Sequence, residues 1–235
     1  MSISADKIYD SYHFGSSRDL NEQHLDQLVR LFNTPTNTVD SVLGGRNSVT
    51  IAQLEGIGSV VVKHYTRGGL VRRVVKRRYL KWGKTRGQVE YEVLKKVRGF
   101  GVSAPEPLVY AYRGILLYKA WLVTREIKQQ QTLAELSFVD EERARIVMKE
   151  VAVQAATLIE NNIVHADLHP GNVLVDSSDR VFIVDFDKAY LSRGNKNKLR
   201  DKYLTRWRRS VIKHRLPEML YEMLCAGLGK DYEVR

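Results

Sequence analysis

One stretch constrains this chain more than any other. His165-Ala166-Asp167-Leu168-His169-Pro170-Gly171-Asn172 runs into the apolar segment Val173-Leu174-Val175. A second apolar segment, Val181-Phe182-Ile183-Val184, then delivers Asp185-Phe186-Asp187, with Asp185 thirteen residues after Asn172. Pro170-Gly171 lets the chain turn so that Asp167 and Asn172 can face the same side. Taken singly, Asp167, Asn172 and Asp185 are ordinary turn or strand-end residues. The information lies in their joint occurrence: a loop, an apolar strand and a second acid at a set spacing.

That constellation resembles the protein-kinase superfamily, whose catalytic loop reads HxDxxxxN and is followed by a strand ending in DFG. Phosphoryl transfer makes little covalent demand on a protein; it needs alignment and neutralisation of charge. The resemblance makes Asp167 the carboxylate that orients or accepts the proton of the attacking hydroxyl. It makes Asn172 and Asp185 the hard oxygen ligands of magnesium, completed by ATP phosphates. His165 falls where the superfamily has a structural histidine, so support of the loop ranks above catalysis.

The upstream sequence reads as strands first and helices after. Residues 1 to 40 are polar and weakly patterned, with one short helix possible over Glu22 to Phe32. Ser41 to Ile51 reads as strand, glycine turn and strand, and Ser59 to Tyr65 as a further β-branched strand carrying Lys63. Leu70 to Trp82 and Arg86 to Val97 have helical periodicity, the second with Val89, Val93, Leu94 and Val97 as its apolar face. Strands are expected over Leu108 to Tyr112 and Leu116 to Thr124. A long helix should run from Asp140 to about Asn161, with two glutamates in its first turn. A basic helical tail spans Lys196 to Leu228. The polar Gln129-Gln130-Gln131 suits a connector.

On the kinase pattern, Lys63 grips the α- and β-phosphates, and a glutamate of the following helix holds it. Glu90 and Glu92 compete for that role, since helical geometry turns them about 200° apart. Glu90 is preferred because Val93, Leu94 and Val97 lie on its side. Leu43-Gly44-Gly45-Arg46 stands where a glycine-rich phosphate loop belongs, but it is not a full GxGxxG and reads equally as a plain hairpin. Glu126 and Ile127 open the connector, up to Lys128, that would offer backbone groups to adenine. The implied architecture is α+β and bilobal, an antiparallel-sheet N-lobe over about residues 1–126 and a reduced helical C-lobe over about 127–235.

Departures from the protein-kinase pattern narrow the class. His169 stands two residues after the base where Ser/Thr kinases usually have Lys, the second acid lies in Asp-Phe-Asp, and only 48 residues follow Asp187, without an APE motif. Lys63 to Leu70, Arg78 to Arg86, Asp185-Phe186-Asp187-Lys188 and Trp207 to Lys213 resemble the bacterial lipopolysaccharide-kinase family over about residues 42 to 215. That resemblance implies ATP- and magnesium-dependent phosphorylation of a hydroxyl, expected to be the 4-OH, of 3-deoxy-D-manno-octulosonic acid (Kdo) on lipid A. It further implies peripheral attachment at the cytoplasmic face of the inner membrane.

Composition is compatible. The 235 residues are 43% hydrophobic, enough for a real core, and the single Cys225 fits a reducing compartment without disulfides. No run approaches the ~18 apolar residues of a membrane span, and the N-terminus lacks the order of a secretory signal. Lys and Arg number 38 against 27 acids, a net charge of +11 that favours phosphate-bearing partners, whether nucleotide, lipid or nucleic acid. Positive charge concentrates in Arg67 to Arg86 and Arg193 to Arg215. The Leu70 to Trp82 stretch is either an interfacial helix or an ordinary solvated face, and Trp207 among Arg206, Arg208 and Arg209 hints at an anion site. Other acceptors, a core heptose or a protein, remain open. A nucleic-acid binder on a degenerate kinase fold is disfavoured by the intact Lys63, Asp167, Asn172 and Asp185 and by the absence of a zinc-finger, RNP or helix-turn-helix signature; no nucleic acid is expected as partner.

Overall fold

The computed structural model describes residues 7–34, 38–40, 46–65, 79–80, 83–115 and 117–229. The chain divides into two compact units, one of residues 1–92 with 106–126, the other of residues 93–105 with 127–235.

The first unit is built on an antiparallel sheet. Its strands are β1 (Lys7–Tyr9), β2 (Tyr12–Ser16), β3 (Thr38–Asp40), β4 (Arg46–Leu54), β5 (Gly58–His64), β6 (Tyr79–Leu80), β7 (Pro107–Arg113) and β8 (Leu117–Arg125). The order is β1-β2-β7-β8-β5-β4-β3, with β6 also on β8. Two of these strands, β1 and β2, lie where the sequence reads as weakly patterned. Asp10 and Ser11 join them with φ of 43° and 62°, the left-handed pair that a two-residue hairpin of matching twist requires. Helix α1 (Glu22–Asn33) is capped by Asn21, whose side chain accepts the His24 N–H at 2.8 Å. It buries Leu25, Leu28 and Phe32 against Tyr12, Phe14, Val60, Val62 and Trp121. Each such side chain contributes about 1.5–3 kcal/mol by leaving water. Phe32 and Tyr12 meet Trp121 at ring separations of 4.8 and 5.4 Å, making a rigid floor beneath β5 and β8.

The helix expected over Leu70 to Trp82 lies outside the described residues except at Tyr79 and Leu80, and those two form strand β6, paired with Tyr118 and Leu117. Helix α2 (Arg86–Gly99) begins in the first unit. Its buried side carries Gly87, Glu90, Tyr91, Leu94 and Val97, while Val89, expected in the apolar face, is exposed. Gly87 sets the approach: a Cβ there would lie 2.7 Å from the Trp121 carbonyl oxygen, so only glycine lets α2 come this close to β8.

The second unit is mainly helical. Strand β9 (Gln130–Thr132) leads into α3 (Leu133–Val139) through a capping box in which Thr132 and Glu135 bond each other's backbone N–H. Helix α4 (Glu141–Glu160) starts at Asp140, which accepts the Arg143 N–H at 3.0 Å. Short strands β10 (Ile163–Val164), β11 (Val173–Asp176), β12 (Val181–Ile183) and β13 (Tyr190–Leu191) carry the intervening loops, with β11 between β9 and β12 and β10 paired to β13, all antiparallel. Helices α5 (Lys196–His214) and α6 (Met219–Gly227) close the chain. Gln154, buried on α4, accepts the Ser103 N–H and donates to the Val181 carbonyl, both at 3.1 Å, which ties β12 and the segment after α2 to the central helix. Trp207 is fully buried and donates to the Leu220 carbonyl at 3.0 Å. It joins α5 to α6 as a core residue and is not part of a surface anion site.

Candidate active site

Lys63 stands on β5 between β4 and β8, opposite Val49 on one side and Leu122 on the other. A strand bonded on both edges gives its side chain a fixed root. Its Nζ donates to both carboxylate oxygens of Glu90 at 3.0 Å, and the Tyr65 hydroxyl donates to Glu90 Oε2 at 2.5 Å. Glu90 is 3% exposed, so its charge sits in low dielectric with two donors satisfying it. Glu92 turns away and pairs with Lys84 at the surface at 2.6 Å. Tyr65 was not singled out from the sequence, although its position two residues after Lys63 puts both side chains on one face of the strand. Its ring also lies 5.5 Å from Lys63 Nζ and 5.4 Å from the Arg86 guanidinium. Gly44 and Gly45 lie outside the described residues. Glu126 and Ile127 mark the chain's passage from the first unit to the second. The Glu126 N–H bonds the Ser59 carbonyl at 3.2 Å, and its carboxylate accepts from the Ser59 hydroxyl.

Within the second unit, the loop between β10 and β11 is held from below by His165. This residue is 1% exposed; it accepts the Asp167 N–H on Nδ1 at 3.3 Å and donates from Nε2 to the Val184 carbonyl at 2.9 Å. Burial pushes its pKa down to about 4 against the smaller upward pulls of the Val184 carbonyl, Asp185 and Asp167. A neutral imidazole bonded on both nitrogens is a brace and carries no free lone pair for proton transfer. The backbone N–H of His165 donates to the Tyr203 hydroxyl at 2.9 Å, which in turn donates to the Ile163 carbonyl at 2.6 Å. The Phe186 ring meets the imidazole edge-on at 4.6 Å.

The same bonds bring Asn172 and Asp185 together. The Asn172 side-chain amide donates from Nδ2 to the Asp167 carbonyl at 2.9 Å, which leaves Oδ1 as its acceptor. The Val184 N–H bonds the Asn172 carbonyl at 3.0 Å, extending the β11–β12 ladder by one step and setting Asp185 beside Asn172. Asp185 has φ of 64°, a left-handed conformation that costs a non-glycine residue about 1 kcal/mol or more. His169 caps the 3-10 turn Pro170–Asn172 by accepting the Gly171 N–H at 3.1 Å. Its pKa is lowered, first by burial and then by His214 and Arg206, with Asp167 and Asp185 pulling the other way. Arg206 of α5 contacts Asp167 directly, Nη1 donating to Oδ1. No sequence pattern links these two residues, 39 positions apart.

The donor set fits magnesium. One amide oxygen and one carboxylate are the few hard ligands this ion takes from a protein when phosphates supply others. Among the described residues no cluster of three or more His, Cys, Asp and Glu forms a self-sufficient metal cage.

The lipopolysaccharide kinase (Kdo/WaaP) family model matches residues 29–227. The chain belongs to that family. Named relatives agree with the match. A 3-deoxy-D-manno-octulosonic acid kinase of Vibrio vulnificus is 32% identical over 188 residues, 79% of this chain and 78% of its own length. Proteins of the same name from Photobacterium profundum and Xylella fastidiosa are 29% identical over 195 residues and 27% over 175, covering 78% and 73% of this chain and 80% and 69% of their own lengths. The fold is that expected of a kinase, a sheet-based unit bearing the Lys63–Glu90 pair and a helical unit bearing the Asp167 loop.

Proposed function

We propose that this chain transfers the γ-phosphoryl group of ATP to a hydroxyl of Kdo on lipid A, with the 4-OH as acceptor. The observation that carries the reading is the interlocked loop in which His165, Asn172 and Val184 hold Asp167 and Asp185 in fixed relation. Asp167 orients the acceptor hydroxyl and takes its proton as the new O–P bond forms and the bond to the ADP leaving oxygen breaks. Lys63, held by Glu90 and Tyr65, neutralises the α- and β-phosphates. Asn172 Oδ1 and Asp185 would hold magnesium, which supplies charge neutralisation to the phosphates.

Membership of a lipopolysaccharide kinase family and relatives named as Kdo kinases support the acceptor. With a lipid-anchored anionic acceptor, the reading extends to peripheral attachment at the cytoplasmic face of the inner membrane. The net charge of +11 supports that location, because basic surfaces are attracted to anionic headgroups. No helix among the described residues is long and apolar enough to cross a membrane.

The test is phosphate transfer from labelled ATP to Kdo–lipid A, to heptosylated core and to a generic protein. Transfer to Kdo–lipid A well above the other two supports the assignment. Preference for heptose or protein overturns it.

A further inference from the structure

Arg206 is built into the loop's surroundings in an unusual way. Its neighbour Trp207 is fully buried, and Tyr203, nearly one turn earlier on α5, is 1% exposed with its hydroxyl fixed between Ile163 and His165. The backbone of Arg206 is therefore anchored on the catalytic loop itself. Its side chain stays 44% exposed, as does that of Asp167 at 46%. An ion pair this open adds at most about 1 kcal/mol to stability, so the fold gives little reason for an arginine here.

What an arginine offers is its shape. The guanidinium carries five N–H donors in a rigid planar fork suited to carboxylates, and the Asp167 contact uses Nη1. The surrounding field has the same sign: α5 carries eight Lys or Arg residues against the single acid Asp201. Several of those cations are already engaged: Lys196 with Glu160, Arg200 with the Leu228 carbonyl and Arg208 over the Tyr221 ring. Arg206 is the α5 cation that reaches the reacting carboxylate.

We propose that Arg206 is the specificity-determining residue for the acceptor, its guanidinium spanning Asp167 and the carboxylate of the sugar acid. The inference rests on the Kdo reading above and deepens it. In a 3-deoxyoctulosonic acid the carboxylate-bearing C2 and the hydroxyl-bearing C4 are two ring positions apart. A hydroxyl presented to Asp167 thus brings its own carboxylate to the remaining edge of the same fork. One side chain then selects an acidic sugar and the hydroxyl at that separation, and a neutral heptose satisfies only the Asp167 half.

The experiment compares wild type, Arg206→Gln and Arg206→Lys on Kdo–lipid A and on the same acceptor with its Kdo carboxylate converted to the methyl ester. Melting temperature and ATP KM are read alongside. Loss of charge-assisted hydrogen bonds at a partly exposed site predicts an acceptor KM raised about 10- to 100-fold in Arg206→Gln, with ATP KM and melting temperature unchanged. Arg206→Lys, which keeps the charge and loses the fork, should recover only part of this. The ester should weaken wild type by a similar factor and make it insensitive to Arg206→Gln. Equal losses on acid and ester would mean that Arg206 acts only on Asp167 and would overturn the proposal, as would no loss on the acid. Failure of wild type to phosphorylate Kdo–lipid A at all would instead overturn the acceptor assignment, and this inference with it.

Discussion

Removing the charge of Glu90 should cost more than its small size suggests, and in a way that depends on Lys63. The Glu90 carboxylate is 3% exposed and accepts from Lys63 on both oxygens and from the Tyr65 hydroxyl on Oε2. Breaking a buried ion pair from one side costs about 3–5 kcal/mol, because the remaining charge is left unpaired. The Lys63 side chain keeps 15% exposure and can still reach water, so the lower end, about 3 kcal/mol, applies to Glu90→Gln. Lys63→Met takes from the Glu90 carboxylate the cation that donates to both of its oxygens, again about 3 kcal/mol. The double variant leaves no buried charge, so its cost should fall about 2 kcal/mol or more short of the sum. Urea unfolding of the four proteins measures the cycle, with kcat and nucleotide affinity as the functional readouts. Lys63→Met should impair kcat more than nucleotide binding, and Glu90→Gln should do the same to a smaller degree. Glu92→Gln, which disturbs only the exposed Lys84 pair, should cost less than about 1 kcal/mol and leave kcat alone. Additive losses in the cycle, or a larger effect from Glu92→Gln, would refute the reasoning.

Three further outcomes follow from the second unit. His165 is held neutral with a pKa of about 4 against 6.5 unfolded, so the unfolded chain binds the extra proton between these values. Its contribution is complete above pH 6.5 and falls as pH drops towards 4, about 2 kcal/mol lost between pH 7 and pH 5; NMR titration of the imidazole showing an ordinary pKa would contradict it. Asp185→Asn should weaken magnesium-dependent nucleotide binding, measured by calorimetry with and without the ion, and an unchanged magnesium requirement would remove Asp185 from the ligand set. Asp185→Gly and Asp185→Ala should both abolish transfer, with the glycine variant the more stable by roughly 1 kcal/mol, since glycine accepts φ of 64° without strain; an alanine variant as stable as the glycine one in thermal unfolding would contradict the strain.

The loop from His165 to Asp185 was legible as structure because its geometry is local: turn, strand and returning strand are contiguous, while the roles of its residues rest on the resemblance. Glu90 was legible by a weaker route, through Leu94 and Val97 at i+4 and i+7 on the same face. The same helix misled at Val89. Its buried side carries Gly87, Glu90 and Tyr91, so hydropathy reads that side as mixed and promotes the exposed valine instead. Strand β2 hid its alternation behind polar neighbours, although Tyr12 and Phe14 do alternate and are both 1% exposed. Trp207 among three arginines reads as surface, yet Tyr203, Trp207 and Val211 recur at four-residue steps and are buried together. The Thr132–Glu135 capping box announced α3 and went unread. Arg206 was noted only for its charge, because its contact with Asp167 depends on how α5 packs on the loop, a tertiary fact with no periodic trace.

The most direct measurement is turnover of Asp167→Asn with ATP and Kdo–lipid A, with nucleotide affinity measured on the same preparation. The Asp167 side chain is 46% exposed and its ion pair with Arg206 is open to solvent, so the substitution should leave the fold and ATP binding nearly intact. Loss of the general base predicts turnover lower by about two orders of magnitude or more. Turnover near that of wild type, with nucleotide binding retained, would contradict the assignment of Asp167 as the base.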